Sequence, residues 1–451
     1  MNSDLLQELS EKATKARLFR SIISDRSPSS SSMDKWMDML GFNECSYRNI
    51  NLDQARSKCH YSTETGLLQN KFMAGWLITP TVKELLENIE RLPLIARGDN
   101  KITPVLGVSC DSLHKDSSDF SVIQVASQLN ALEHTEPDQT PENGICIYLL
   151  DNTQGPKCAL NCAPGTFVRN YYYGKLNTLE NVGLNPTNGY LIFKESPPDL
   201  TDDQLDQIKI PVMTYTQYAG VTYNKGDVIQ HERNKLLHQV YSSSIPSQIY
   251  GAIKVPNKFL VKFLTAQYTG AIAAGILMHH IDKVQGVPEI NLTLIGGGSF
   301  NNPTNVIVKA IKSARNRLKN FMFNIKVHCF TEHSYIRVKE YLTPRWVTTV
   351  PNSTGGDNFF KSRDYQIDMV DKLSPCSFGG KMMLYDKVHR GQRVVAFVSR
   401  ESDDVYCFIG DDGLKKYIID INQEIDYTFE SQPDGSYKVY DQDRVPVTKW
   451  H

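Results

Sequence analysis

The stretch Leu294 to Pro303, which reads LIGGGSFNNP, decides the fold prediction. An apolar run ending at Ile295 enters three consecutive glycines, and a helix is predicted to begin just after Pro303. Glycine backbone approaches a ligand closely, and its N–H groups form an anion-binding concavity together with those of a helix N-terminus. Three adjacent glycines exceed what a tight turn needs, so a phosphate-binding loop is favoured over a turn without a ligand.

The pattern around this loop alternates strand, loop and helix from about Pro104 to Glu332. Helices are predicted from Pro256 to Asp282 and from Thr304 to Leu318, each with an apolar face. Several strand candidates are nearly continuous apolar runs, as in a sheet covered by helices on both faces. The candidates are Val105–Val108, Phe120–Ala126, Ile145–Leu150, Tyr190–Phe193, Pro211–Tyr215, Leu236–Tyr241, Asn291–Ile295 and Ile325–Phe330. This alternation predicts a three-layer α/β core over residues 101–345.

The flanking segments have a different texture. Residues 1–26 could form a polar helix, a serine-rich run follows it, and residues 1–33 together are expected to be a flexible tail. Residues 34–100 are expected to form a helical extension, with a capping box at Thr81 and Glu84. Residues 360–451 carry short strand-like runs between Asp/Gly turns and predict a small β-rich appendage.

The composition excludes several classes of protein. The net charge of -1 offers no global attraction to nucleic acid or to an anionic membrane, so an anionic ligand must be held locally. The nine cysteines form neither a CxxC pair nor a zinc-spaced cluster, so reduced thiols and no metal are expected. The N-terminus lacks the apolar region of a signal peptide, and the apolar run at Ala271–Met278 is too short to span a bilayer. A soluble, cytoplasmic protein is therefore expected.

The glycine loop resembles one known phosphate-binding family. There is no GxxxxGK[ST] motif, and no GxGxxG opens the first strand-helix unit, which argues against P-loop and dinucleotide-binding folds. Macrodomains, which bind ADP-ribose, have a similar loop before their last helix. Gly298 matches its glycine, Phe300 its aromatic residue and Pro303 its proline, while Asn301 replaces a second glycine. Asparagine tolerates the left-handed backbone conformation better than most residues, so that replacement is acceptable.

The macrodomain resemblance covers about 230 residues and implies a set of ligand contacts. Asp111 corresponds to the aspartate that contacts adenine, and Gln128 and Asn130 would bind the distal ribose. Gln128 and Val125 stand where the family has asparagines, which is a departure from its pattern. The remaining implied contacts form the first and second ligand loops: Gln154, Gly155 and Lys157, then Gly296, Gly297, Gly298, Ser299, Phe300 and Asn301. Each polar residue among them could instead satisfy local backbone groups.

The wider sequence is similar to a divergent macrodomain branch of arginine-specific ADP-ribosylhydrolases that has members among Legionella effectors. That similarity implies hydrolysis of the N-glycosidic bond between ADP-ribose and arginine. Such a reaction needs a carboxylate near the reacting carbon to activate water. The candidates are Asp227, Glu232 and Glu133, with Asp151 as a fourth; for any one of them taken alone, a solvated loop charge is the favoured interpretation. Asp227, in a glycine-bearing loop before the strand of His238, is the first choice. His231 and His238 are candidate acids, although such histidines are more often structural or solvated.

The leading hypothesis is thus an ADP-ribosylhydrolase that acts on an ADP-ribosylated protein, with arginine as the implied side chain and ubiquitin as the implied target. No cofactor, nucleic acid or membrane partner is expected. A translocated effector would act in the host cytosol. Two alternatives stay open: a module that binds ADP-ribose without cleaving it, and an interaction scaffold with a vestigial pocket.

Overall fold

A computed structural model describes residues 4–20, 42, 49–93, 100–107, 110–150, 154–219, 221–224, 227–230, 235–247 and 249–342, and strand segments between 358 and 440. For residues 110–112, 149–150, 154, 221–230 and those beyond 342, the description covers the backbone only. Two compact units divide the chain, Met1–Ile336 and Arg337–His451.

The first unit is a mixed α/β domain around a central sheet. Its strands are β1 (Leu67–Leu68), β2 (Phe72–Met73), β3 (Trp76–Ile78), β4 (Ile102–Leu106), β5 (Val122–Ala126), β6 (Val212–Gln217), β7 (Val221–Asn224), β8 (Asp227–Gln230), β9 (Leu236–Ser242), β10 (Glu289–Thr293) and β11 (Asn324–Cys329). Seven of them form the sheet, in the order β3-β6-β9-β5-β10-β11-β4. The predicted α/β fold with a helix-covered sheet is confirmed.

Helices flank this sheet. They are α1 (Leu5–Phe19), α2 (Leu52–Lys58), α3 (Val82–Glu90), α4 (Cys110–Asp116), α5 (Gln154–Asn161), α6 (Ala163–Tyr173), α7 (Asp202–Leu205), α8 (Asn257–Ile281) and α9 (Thr304–Arg317). A further helix, α10 (Glu332–Leu342), crosses the boundary between the two units. The long helix α8 lies against α1, α3, α9 and the central strands. Its length and composition would allow a membrane span, but 83% of its apolar window is buried inside the fold, which makes it a core helix.

The strand directions define two edges of the sheet. β9, β5, β10, β11 and β4 pair in parallel, whereas β6 is antiparallel to both β9 and β3. We call the side where the parallel strands end the carboxyl edge, and the side where they begin the amino edge. β5, β9 and β10 end at the carboxyl edge at Ala126, Ser242 and Thr293. Open α/β sheets bind ligands beyond the carboxyl ends of their strands.

Two neighbouring strands at the centre are tied together by a side chain. β10 pairs with β5 at Asn291 and Ile123. Beyond this pair, the side chain of Gln124 on β5 takes the place of a backbone hydrogen-bond partner for Thr293 on β10. Its Oε1 accepts hydrogen bonds from the Thr293 backbone N, at 2.8 Å, and from Thr293 Oγ1, at 3.0 Å. The loops that follow β5 and β10 therefore start from fixed, adjacent positions.

The N-terminal region is more integrated than predicted. Residues 5–19, expected in a flexible tail, form α1, whose Leu9, Ala13 and Ala16 are buried where the helix contacts α8. The serine-rich run lies outside the described residues. Residues 34–100, expected to be helical, also supply β3 to the central sheet. The capping box at Thr81 is confirmed, with the Glu84 backbone N donating to Thr81 Oγ1 and Glu84 Oε2 accepting from the Thr81 N.

Two predicted strands are wrong. Cys146–Leu150 is a 3-10 helix, because a short apolar run fits a buried helical turn as well as a strand. Tyr190–Phe193 forms no strand; Tyr190 makes only an isolated bridge with Thr187. The expected reduced thiols are found at Cys59, Cys158, Cys162 and Cys329, whereas Cys146 is disulfide-bonded.

The second unit is rich in β-structure, as predicted for residues 360–451. Its strands are β12 (Asn358–Ser362), β13 (Tyr365–Met369), β14 (Cys376–Phe378), β15 (Lys381–Tyr385), β16 (Val394–Ser399), β17 (Asp404–Ile409), β18 (Lys415–Asp420), β19 (Thr428–Ser431) and β20 (Tyr437–Tyr440). β14 to β18 form an antiparallel meander of five strands.

Candidate functional site

The glycine loop leaves β10 at the carboxyl edge in a conformation that requires glycine. Gly296 has a φ of +75°, and a Cβ at this position would lie 2.6 Å from Ser244 Cβ and 2.7 Å from Asn302 Nδ2. Asn301, which replaces a glycine of the macrodomain pattern, has a φ of +54°. Asparagine therefore occupies the left-handed conformation that its glycine-like tolerance allows.

Buried polar side chains hold the loop in place. Tyr268 on α8 accepts a hydrogen bond from the Ile295 backbone N, at 3.0 Å, and donates to the Thr293 carbonyl, at 2.8 Å. Burial raises the pKa of the Tyr268 hydroxyl, which keeps it protonated as a donor. Asn302 donates to the carbonyl of Ile245, at 3.1 Å, and accepts from Ser244 Oγ, at 3.1 Å. Tyr268 thus fixes the start of the glycine loop, and Asn302 fixes its end.

The middle of the loop faces solvent. Gly297, Gly298 and Ser299 are exposed, and a Cβ on Gly298 would meet no atom within 4 Å. The following helix α9 has no acidic residue in its first turn, and Pro303 at its N-cap supplies no side-chain cap. Open backbone N–H groups next to the positive end of a helix dipole are suited to an anion such as a diphosphate.

A buried carboxylate lies at the same edge. Glu133 follows β5 in sequence and is 3% exposed. Its backbone N donates a hydrogen bond to the hydroxyl oxygen of Tyr148, at 3.0 Å. A Cβ built on Gly155 would overlap Glu133 Oε2 and would lie 3.3 Å from the Ala126 carbonyl oxygen. Glycine at the start of α5 therefore makes room for the Glu133 carboxylate at the end of β5.

Tyr190 joins the Glu133 segment to the glycine loop. Its hydroxyl donates to the carbonyl of His134, at 2.8 Å, and its ring centroid lies 5.7 Å from that of Phe300. Tyr250 packs edge-on against the Tyr190 ring, with the two ring centroids 5.4 Å apart. Sequence reasoning missed both tyrosines, because Tyr190 was assigned to a strand and neither lies in a recognisable motif. Phe300 serves at least to anchor the loop against this aromatic cluster.

The predicted ribose-binding residues lie in the turn after β5. Asn130 is 5% exposed, and its Oδ1 accepts from the Leu132 backbone N, at 3.1 Å, so it satisfies local backbone. Gln128 Oε1 is buried and has no hydrogen-bond partner among the described residues. Both side chains abut Gly189, where a Cβ would lie 2.6 Å from Gln128 Cβ. Gln128 is thus the residue of this pair with an acceptor left for a ligand.

The remaining predicted contacts are placed by their helices. Gln154, Gly155 and the half-buried Lys157 begin α5, directly after the carboxyl edge. Asp111 lies on α4, which follows β4 from the same edge and packs against α5. For Asp111 and Gln154 the structure describes the backbone alone.

The first-choice catalytic residue is placed differently. Asp227 begins β8, which pairs antiparallel with β7 in a hairpin, with Asn224 opposite Asp227. This hairpin connects the end of β6 to the start of β9, where Gln217 pairs with Leu236 at the amino edge. It is therefore rooted on the side of the sheet opposite to the glycine loop. Glu232, His231 and Asp151 lie outside the described residues.

His238 belongs to a buried polar cluster away from the carboxyl edge. Its Nδ1 accepts from the Tyr215 backbone N, at 3.2 Å, which leaves the Nε2 proton to donate to Asp282 Oδ2, at 2.9 Å. Asp282 also accepts from the Tyr215 hydroxyl, at 3.0 Å. On β9, His238 lies opposite Val122, the first residue of β5. His238 therefore has the structural role that was the favoured of its two interpretations: it fastens α8 to the sheet.

No group of three or more His, Cys, Asp or Glu side chains that could hold a metal ion occurs in the part of the chain that the structure describes.

Comparisons with known proteins give remote structural matches. No family model matches the sequence, and no curated protein matches it. Poly(ADP-ribose) glycohydrolase from Thermomonospora curvata matches at 10% identity and a TM-score of 0.34, over 58% of this chain and 85% of that chain. The Deinococcus radiodurans enzyme in complex with ADP-ribose matches at 10% identity and a TM-score of 0.33, over 66% of this chain and 99% of that chain. Its apo form matches at 12% identity and a TM-score of 0.30, over 59% and 93%.

Proposed function

We propose that the protein is an ADP-ribosylhydrolase whose site lies at the carboxyl edge of the sheet. The observation that carries the proposal is the position of Glu133, a buried carboxylate set against Gly155 on the edge from which the glycine loop emerges. A phosphate-binding loop and a carboxylate, joined through Tyr190, are what hydrolysis of an ADP-ribosyl bond requires.

The glycine loop would bind the diphosphate. The exposed backbone N–H groups of Gly298 and Ser299 would donate to phosphate oxygens, with the N-terminus of α9 behind them, while the Gly297 N donates to the Leu294 carbonyl, at 3.1 Å, and closes the turn. The net charge of -1 gives the chain no general attraction for anions, so this local arrangement must supply the affinity. Gln128 Oε1, buried and without a partner among the described residues, would accept from a ribose hydroxyl.

Glu133 would activate the water. Cleavage of the N-glycosidic bond passes through an oxocarbenium-like state, and a carboxylate near the reacting carbon stabilises that charge and removes a proton from the attacking water. The water oxygen bonds to the ribose carbon as the carbon–nitrogen bond breaks, and the proton taken from water passes to the leaving guanidine nitrogen. Because Glu133 is 3% exposed, its charge acts in a region from which most water is excluded. We infer arginine as the modified side chain, and ubiquitin as a target, from the sequence similarity alone.

The decisive experiment incubates the protein with an arginine-ADP-ribosylated substrate and measures released ADP-ribose. Glu133→Gln should lower the rate by about 10²- to 10⁴-fold and leave the affinity for ADP-ribose unchanged, because the amide keeps the shape of the carboxylate. Glu136→Gln, which alters an exposed carboxylate three residues away, is the matched control and should retain full activity. Full activity of Glu133→Gln would remove Glu133 from the mechanism.

Further outcomes separate the alternatives. Asp227→Asn and Glu232→Gln should be active; loss of turnover in either, with binding intact, would move the catalytic role to the segment between β6 and β9. Binding of ADP-ribose without release from any linkage would make the protein a recognition module. Absence of binding in calorimetry would leave only the scaffold. Comparison of ADP-ribosylated ubiquitin with another ADP-ribosylated protein tests the target.

A further inference from the structure

Arg169 on α6 is buried, and within the described part of the chain its guanidinium forms no ion pair with a carboxylate. It is 1% exposed and is among the largest fully buried side chains of the described residues. Nη1 donates to the Ala131 carbonyl, Nη2 donates to Thr166 Oγ1 at 3.4 Å, and Nε has no partner among the described residues. The guanidinium carbon lies 3.9 Å from the centre of the Tyr241 ring. Removing a cation from water costs free energy unless it is paired, so the burial of Arg169 indicates a specific role for its side chain.

The carbonyl that Arg169 binds belongs to a strained residue. Ala131 has a φ of +61°, a conformation that residues with a Cβ rarely adopt. Its backbone N donates to the Gln128 carbonyl at 3.0 Å, and the Gln128 N donates to the Leu132 carbonyl at 2.9 Å. This tight turn ends at Glu133. Backbone strain of this kind persists only where the surroundings hold it, and it concentrates at functional sites.

We propose that Arg169 is a positioning residue that holds the Ala131 turn and thereby directs the Glu133 carboxylate toward the site. The inference rests on the proposed function, in which Glu133 activates water. Arg169 fixes the turn from below, through its bond to the Ala131 carbonyl and its stacking on Tyr241. Tyr148 holds Glu133, two residues after Ala131, because its hydroxyl accepts a hydrogen bond from the Glu133 backbone N. The turn therefore cannot rotate without breaking contacts on both sides.

The neighbourhood of Tyr241 supports this placement. Burial raises the pKa of its hydroxyl, while the charge of Arg169 lowers it and the charge of Glu133 raises it. The two opposite charges thus act on one ring from nearby.

The test compares Arg169→Met and Arg169→Lys with a matched control, Arg56→Met. Arg56 likewise donates to a backbone carbonyl, that of Tyr171 at 2.6 Å, and lies over a tyrosine ring, that of Tyr172 at 5.8 Å, but it does not touch the Ala131 turn. Arg169→Met should lower kcat by about 10²-fold, as a displaced catalytic group does, and leave the Kd for ADP-ribose unchanged. Arg56→Met should change neither.

A rescue experiment distinguishes positioning from a general loss of stability. Ala131→Gly allows the positive φ without strain, so the double variant Ala131→Gly with Arg169→Met should recover most of the lost kcat. If Arg169→Met does not fold, Arg169→Lys with and without Ala131→Gly carries the same comparison. Unchanged kcat in a folded Arg169 variant, or no recovery by Ala131→Gly, would overturn the proposal.

Amide hydrogen exchange tests the turn even if the protein hydrolyses nothing. The backbone amides of Gln128, Ala131, Leu132 and Glu133 are all hydrogen-bonded, so they should exchange slowly in the native protein. Exchange at these amides should accelerate in Arg169→Lys and stay unchanged in Arg56→Met. Unchanged exchange in the Arg169 variant refutes the positioning role, whereas accelerated exchange in a protein without hydrolase activity refutes only the proposed reaction.

Discussion

Gly298→Ala separates the loop's role in binding from its role in the fold. A Cβ at Gly298 meets no atom within 4 Å, and Gly298 is not among the glycines with positive φ. The new methyl group therefore introduces neither a clash nor backbone strain. Replacing glycine at such a position restricts the unfolded chain and should stabilise the protein by about 0.4–1 kcal/mol.

The same methyl group should weaken ligand binding. It occupies the open space through which a phosphate oxygen would approach the Gly298 N–H. Loss of one charge-assisted hydrogen bond costs about 1.5–3 kcal/mol. Since about 1.4 kcal/mol corresponds to a tenfold change in affinity, the Kd for ADP-ribose should rise by about 10- to 100-fold.

The assay pairs calorimetry with ADP-ribose and urea unfolding. Gly286→Ala is the matched control, because its Cβ also meets open space but its φ is +93° and it precedes β10 at the amino edge. That variant should lose about 1–2 kcal/mol of stability and keep its affinity. The two variants should thus change stability in opposite directions, and only Gly298→Ala should change the Kd. An unchanged Kd in a stable Gly298→Ala would refute a diphosphate at this loop.

Three further predictions follow from the same geometry. Gly155→Ala should lower the hydrolysis rate by about 10²-fold, because its Cβ would displace the Glu133 carboxylate, and a normal rate would show that this contact does not position the base. Tyr190→Phe should cost about 1 kcal/mol in urea unfolding through the lost bond to the His134 carbonyl, while Phe300 keeps its ring contact; no loss of stability would contradict that bond. Burial lowers the pKa values of His134 and His328 to about 4, below the unfolded value of about 6.5, so the unfolded chain binds protons first as the pH falls. The free energy of unfolding should therefore fall by about 3 kcal/mol for each histidine between pH 6.5 and pH 4. His328→Gln should reduce the slope of the unfolding free energy against pH. An unchanged slope would show that His328 does not contribute to this pH dependence.

The sequence predicted the elements that depend on local patterns. β9, β10 and β11 are apolar runs with both faces covered, and α8 and α9 have clear apolar faces, so periodicity identified them. The glycine loop could be predicted for a similar reason. Gly296 and Asn301 both adopt positive φ, and glycine and asparagine are the residue types that adopt this conformation most readily. Local chemistry is what a single sequence reports best.

The contacts that complete the candidate site are not local, and the sequence did not reveal them. Arg169 reaches the Ala131 carbonyl across 38 residues, and Tyr190 reaches His134 across 56. An arginine within Arg169-Asn170-Tyr171 has no pattern that predicts burial, and alanine gives no sign of a positive φ. Such features come from tertiary packing that overrides the preferences of the residues concerned.

The direction of strand β6 distinguishes the two candidate carboxylates, Asp227 and Glu133. Asp227 was attractive in the sequence because it adjoins a glycine and precedes an apolar strand, the usual setting of a ligand loop. That reasoning assumes that the chain arrives from the carboxyl edge. β6 runs antiparallel to β9, so the chain between them leaves and re-enters the sheet at the amino edge. Glu133, by contrast, follows β5, whose parallel neighbours β9 and β10 end on the same side. Because loops at one edge of a sheet share a site and loops at opposite edges do not, the reversal of β6 favours Glu133 as the base beside the glycine loop.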